Sequence, residues 1–310
     1  MKIIAAYTSV VLIWATTPLA IKWSNSTLSY MEAVTARMSF SVVGALFIAA
    51  VLDRRVFQSR KDWLPMLIGA LKLYPIMLIV YWSAQYIPSG LISVIFGATP
   101  FFVGLFSIAL LGENNFNPVR IAALIVACFG LVVIHFDQLN MNATAALGVL
   151  GILVSTILFA LCTVALKKSG ASVDPVRQLA GSLVIAAPCF LITWVFTDGE
   201  LPIYIDSKSI SAVLYLVVAG SIVGGLAFYY VLKKCDVQTV SLIPLMTPVA
   251  ALIIGYVVDG EKLDATMFVG IACVLGSLAL YLGVLQIVYS QLRKARCFII
   301  DRVQRAFSIS

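Results

Sequence analysis

The sequence predicts an all-α polytopic membrane protein: ten transmembrane helices arranged as two inverted five-helix repeats. Composition, the spacing of the apolar runs and an internal repeat lead to it. Of 310 residues, 62% are hydrophobic and 11% are charged, whereas soluble domains run at about 45–50% apolar and about 25% charged. The apolar residues collect in runs of roughly 17–25, the length that crosses a ~30 Å hydrocarbon core. The connections are short, so no soluble domain of useful size remains.

Taken in order, the first run, 3–21, follows Lys2 as a signal peptide would. It contains Trp14 and Pro18 and ends in Lys22, and nine further runs follow; it reads as a retained helix, which Pro18 can kink. Runs at 31–51, 64–82, 88–111 and 119–135 complete the first half. Runs at 145–166, 176–196, 209–231, 238–258 and 265–289 make the second. The expected division is residues 1–137, 138–290 and a basic cytoplasmic tail, 291–310. In that tail Phe298, Ile299, Val303 and Ala306 share one helical face, with Arg296, Arg302 and Arg305 mostly away from it. This suits a helix lying in the inner-leaflet interface. The six cysteines form no CxxC pair, so neither a disulfide framework nor a metal site is expected.

The net charge of +7 reflects topology and not nucleic-acid binding. With the N-terminus inside, sixteen of the 21 Lys and Arg fall in inner segments and three (Lys22, Lys208, Lys262) in outer ones. By the positive-inside rule both termini are cytoplasmic. Two cations remain within spans, Arg37 and Lys72.

The internal repeat shows in "TPFFVGLFSIALLGE" from Thr99 and "TPVAALIIGYVVDGE" from Thr247. An offset of 148 pairs Thr99 with Thr247, Pro100 with Pro248, Glu113 with Glu261 and Tyr81 with Tyr229. Near the start of each half an offset of 145 pairs Trp14 with Phe159 and Lys22 with Lys167. Five spans per half is odd, so the second half must enter the membrane upside down, an arrangement typical of alternating-access carriers. The same residues carry a resemblance. The "W-A-x-x-P-x-x-x-K" end of span 1, Arg37 in span 2 and the "TP…GE" pattern of spans 4 and 9 resemble EamA-type permeases of the drug/metabolite transporter superfamily. The resemblance covers essentially the whole chain. It implies a small-molecule transporter in a bacterial inner membrane, with a central cavity lined by spans 1, 3, 4, 6, 8 and 9.

Among candidate site residues, Lys72 lies about eight residues from the inner end of span 3, so ~12 Å deep, farther than snorkelling fully relieves. Either it faces a cavity and attracts a carboxylate or phosphate, or it snorkels or bonds carbonyls freed by Pro75. At helical spacing Ser83 follows on its face with Trp82 at the margin, and Tyr81 falls opposite. Trp14, Trp82, Phe159 and Tyr230 are candidates for an aromatic lining. Thr99 and Thr247 precede Pro100 and Pro248, which remove backbone bonds inside spans; these positions read as hinges or site-lining breaks. Arg37 reads as a structural arginine bonded to neighbouring helices. Its spacing of five from Glu32 is poor for a helical pair.

Span centres carry no Asp or Glu, and His135 sits at the end of span 5, so a carboxylate proton relay has no obvious members. A facilitator or exchanger fits better. A membrane enzyme would need an apparatus such as HExxH or GxSxG, and neither is present; a lipid-linked sugar flippase is the nearer alternative. Expected partners are a small-molecule substrate, membrane lipids and a second copy of the chain, with no nucleic acid, cofactor or metal.

Overall fold

The computed structural model describes residues 1–114, 117–134, 143–170, 173–197, 199, 204–258 and 265–281. The tail at 291–310, His135 and Glu261 lie outside them. The described residues are helical, without strands. Seven stretches are long and apolar enough to cross a membrane, and three apolar helices are shorter.

Helix α1 (Lys2–Ser24) continues as a helix through Pro18. The next, α2 (Tyr30–Val51), starts with a capping box. Ser29 Oγ accepts from the Glu32 amide at 3.1 Å, and the Ser29 amide donates to the Glu32 carboxylate at 2.6 Å. Glu32 is thereby committed to its own helix terminus. The third apolar run is split into α3 (Trp63–Leu73) and α4 (Ile76–Ser83). Proline 75 ends α3: the residue before a proline is pushed out of the helical region, and Tyr74 is extended at φ −114°, ψ 124°. The fourth run is likewise split, into α5 (Ser89–Phe96) and α6 (Thr99–Leu111), with Pro100 in the first turn and left-handed Gly112 closing the end.

The second half follows with α7 (Pro118–Ile134) closing the first, then α8 (Ala143–Gly170) and α9 (Pro175–Thr197). The eighth run is one long helix in three parts. A π-helical stretch, Leu216–Val223, joins α10 (Ser207–Tyr215) to α11 (Gly224–Lys234). Finally come α12 (Val237–Val258) and α13 (Ala265–Tyr281).

The two halves interlock. Helix α1 packs on α11 and α12, while α8 packs on α3, α4 and α6. Helix α2 packs on the π-helical stretch and α9 on α3; α2 meets α9, and α7 meets α13. Large side chains such as Tyr81, Phe190, Phe228 and Met66 are fully buried at these crossings, whereas Phe40, Phe47, Phe129 and Phe196 point outward. An exterior of large apolar side chains suits hydrocarbon and not water.

Candidate functional site

Where the halves cross, a cavity opens between α1, α2, α3, α4, α5, α8, α9, the eighth-run helix and α12. Runs 2 and 7 thus join the six spans that the resemblance implied. Most of the wall is apolar, and its charged members are Lys72 and Arg37.

Lys72 lies in the last turn of α3, 6% exposed. Its Nζ is 3.1 Å from the ring centre of Phe228, 4.3 Å from Phe159 and 5.7 Å from both Trp14 and Tyr229. The ring faces are electron-rich and attract the ammonium. Trp14 and Phe228 stack at 5.3 Å, and Phe159 meets Trp14 edge-on at 5.9 Å, so the three form one aromatic box. Lys72 makes no hydrogen bond or ion pair among the described residues, so the carbonyls near Pro75 do not hold it.

Arg37, 5% exposed, reaches from α2 to two other helices. Its Nε donates to Ser221 Oγ at 2.9 Å and its Nη1 to Tyr81 Oη at 3.4 Å. The remaining nitrogen, Nη2, lies against Gly220, 3.1 Å from where a Cβ would stand. It has no protein partner among the described residues.

Of the other sequence candidates, Trp14, Phe159 and Thr247 line the cavity. Trp82, Ser83, Thr99 and Tyr230 do not. The break at Tyr74–Pro75 resets the helical phase, so extrapolating from Lys72 fails beyond it. Leu73, Met77 and Val80 face the cavity. Ile79, Trp82 and Ser83 instead pack about Gly151 of α8, where an added Cβ would overlap Ser83 Oγ and sit 3.2–3.3 Å from the other two. Tyr81 turns inward, fully buried, onto Arg37. Thr99 and Thr247 make equivalent bonds, donating to Phe96 O at 2.5 Å and Pro244 O at 2.9 Å; each satisfies a carbonyl three residues back beside a proline. Pro100 is buried in the first turn of α6 and Pro248 lies inside α12.

Phe228 and Tyr229 were missed in favour of Tyr230. The signal was present, because the 148-residue offset pairs Tyr229 with the buried Tyr81. Tyr229 Oη lies with Ser182 Oγ and Gln178 Nε2 around Gly69, and an offset of 145 pairs Ser182 with Arg37.

Beyond each end of the cavity lies a cluster of polar contacts. At one, Tyr7 Oη donates to Thr239 O at 2.9 Å and Lys167 Nζ to Leu232 O and Cys235 O at 2.9 and 2.7 Å. There too Arg177 pairs with Asp62 and donates to Arg55 O at 3.0 Å. At the other, Asp206, which caps α10, accepts from the Ser209 amide and Thr27 Oγ1, both at 2.9 Å, and from Ser26 at 3.2 Å. Hydrogen bonds from Ser209, side chain and then backbone, hold the Asp206 carboxyl down at about 2.

Residues 1–136 and 146–283 match the EamA-like transporter family. The chain belongs to that family. This EamA protein is 25% identical over 264 residues to an uncharacterized transporter, YvbV, of Bacillus subtilis, covering 83% of this chain and 85% of that one. It is 25% identical over 199 residues to a probable amino-acid metabolite efflux pump of Escherichia coli K12, covering 62% and 66%. A solved crystal structure shares the fold, with TM-score 0.73 and 16% identity over 89% of this chain and 94% of that one. The EamA protein is a multi-pass membrane transporter.

Proposed function

We propose that this EamA protein exports small organic solutes, amino acids or related metabolites, by alternating access about the central cavity. The observation that carries the reading is a cavity walled by both halves and flanked by separate polar clusters at its two ends. These clusters act as latches: opening one while the other holds exposes the cavity to one side at a time.

The interlocked packing supports an inverted repeat. If the five spans of each half correspond in order, the contact of span 1 with spans 8 and 9 is matched by that of span 6 with spans 3 and 4. Likewise span 2 on span 8 is matched by span 7 on span 3, and spans 2 with 7 and 5 with 10 are matched with themselves. An axis in the membrane plane between the halves exchanges these pairs. The charge bias supports cytoplasmic termini in a bacterial inner membrane. The printed name of the E. coli relative supports export of amino-acid metabolites. Translocation needs no covalent step, which suits a cavity whose polar groups are few.

The test is counterflow in proteoliposomes. Vesicles loaded with a panel of amino acids, their deaminated and decarboxylated products and other organic solutes should accumulate label only for accepted solutes, and only with the protein present. Absence of counterflow for the whole panel would overturn the proposal.

A further inference from the structure

Resting on the transport reading, we infer that the substrate is an organic monocarboxylate with an apolar or aromatic body, its carboxylate held between Lys72 and Arg37.

The first argument is charge. Among the described residues, both charged side chains in the cavity wall are cations, each more than nine-tenths buried, and none is a carboxylate. Two like charges facing one low-dielectric space repel each other, and an anion between them is favoured by both. A cationic solute would meet two like charges and no counter-ion. A zwitterion would seat its carboxylate, but its ammonium would find no acid, and Lys72 already occupies the faces of Phe228 and Phe159 that could otherwise receive it.

The second argument is the supply of donors, which selects carboxylate over phosphate. The cavity's threonines and Ser93 are spent on their own helices: Thr17 on Ile13 O at 2.9 Å, Ser93 on Ser89 O at 3.3 Å, and Thr247 on Pro244 O. The donors left include the Lys72 ammonium, Arg37 Nη2, the Trp14 indole N–H and the hydroxyl hydrogen of Ser221, whose oxygen accepts from Arg37. The two cations suit the single charge and two oxygens of a carboxylate, whereas a doubly charged phosphate would bring a third oxygen into a wall that is mostly apolar.

The third argument is shape. Arg37 bonds at Ser221 and Lys72 rests on Phe228, and the wall between includes Gly220 and Gly225. Gly220, lacking a side chain, lets Arg37 Nη2 lie against the backbone, while Leu179 packs on Gly225, so the carboxylate end of the cavity is set by Arg37 and Lys72. The body then lies against the remaining aromatic and aliphatic wall, with Phe96, Ile92 and Met77 within the same cavity.

The experiment compares four probes sharing one phenyl-ethyl body: 3-phenylpropionate, phenylalanine, phenethylamine and the neutral 3-phenylpropanamide. Equilibrium binding to purified protein and counterflow in proteoliposomes are measured on the same preparations. The expected order for binding is propionate first, by about tenfold or more over the amide, with the amine weakest. Lys72→Met should reduce propionate affinity at least about tenfold, the scale of one lost charge-assisted hydrogen bond, and leave amide affinity unchanged. Arg37→Lys, which keeps the charge, should lose less than Arg37→Gln. If Arg37→Gln fails to fold, the Lys72→Met result decides alone. Equal binding of propionate and amide, preference for the amine or zwitterion, or an unchanged propionate affinity in Lys72→Met would each overturn the inference. Propionate binding without counterflow would overturn the transport reading while leaving the binding chemistry in place.

Discussion

Replacing Gly69 by alanine adds one methyl group at the point where α3 crosses α9, one turn before Lys72. The new Cβ would overlap Ser182 Oγ and fall 2.8 Å from Gln178 Nε2 and 2.9 Å from Tyr229 Oη. The Ser182 and Gln178 groups can move only by breaking bonds. Ser182 Oγ donates to Gln178 O at 2.7 Å, and Gln178 Nε2 donates to Pro65 O at 2.7 Å. Tyr229 is the end of a buried, rigid ring. Overpacking of this kind costs about 1–3 kcal/mol, and one buried hydrogen bond displaced adds about 1 kcal/mol. We expect Gly69→Ala to lose about 2–4 kcal/mol in all. Melting in detergent by intrinsic fluorescence should fall by roughly 5 °C or more. Transport should fall with it, because separating α3 from α9 moves the lysine off its aromatic box. Gly276→Ala is the control: a Cβ there meets nothing within 4 Å, so its Tm should hold or rise slightly. Ser182→Ala removes the worst overlap, so the double variant should recover part of the loss, giving a coupling energy that two independent sites would not show. A Gly69→Ala protein that melts with the wild type, or a double variant whose losses simply add, would refute the close crossing.

Further expectations concern the two latches and the topology. Asp206 has its folded pKa depressed from 3.8 to about 2, so its contribution to stability is present above about pH 4 and is lost as pH falls through about 2. Wild type should therefore out-melt Asp206→Asn at neutral pH and converge with it near pH 2; a gap that stays constant with pH would exclude the carboxylate as its source. Breaking the Arg177–Asp62 pair with Arg177→Ala also removes the bond to Arg55 O, so that end should open more often. Labelling of Cys162, 8% exposed on α8 and three residues beyond the cavity-lining Phe159, by a water-soluble maleimide, with the other five cysteines replaced, should accelerate several-fold; an unchanged rate would show that the latch does not gate access. Reporter fusions after Asp137 and Ser207 should read outside and one after Arg60 inside, and one on the wrong side would reverse the proposed orientation.

The membrane class and the family were legible in the sequence because both rest on sums. Transfer of some twenty apolar residues into hydrocarbon is favourable whichever way each side chain points, and a repeat offset survives any rotation of the helices. The cavity wall depended on helical phase, which local sequence does not carry past a break. Extrapolation from Lys72 placed Ser83 and Trp82 on its face. Tyr74, driven extended by Pro75, reset the rotation, sending those two toward Gly151 and Tyr81 onto Arg37. The π-helical stretch of the eighth run acts alike: which of three consecutive aromatics, Phe228, Tyr229 and Tyr230, turns inward depends on how far it rotates the helix beyond it. Arg37 read from sequence as structural, and its bonds do tie three helices together. That one of its nitrogens is left facing the same space as Lys72 follows only from Gly220, a residue 183 positions away, having no side chain to fill that space.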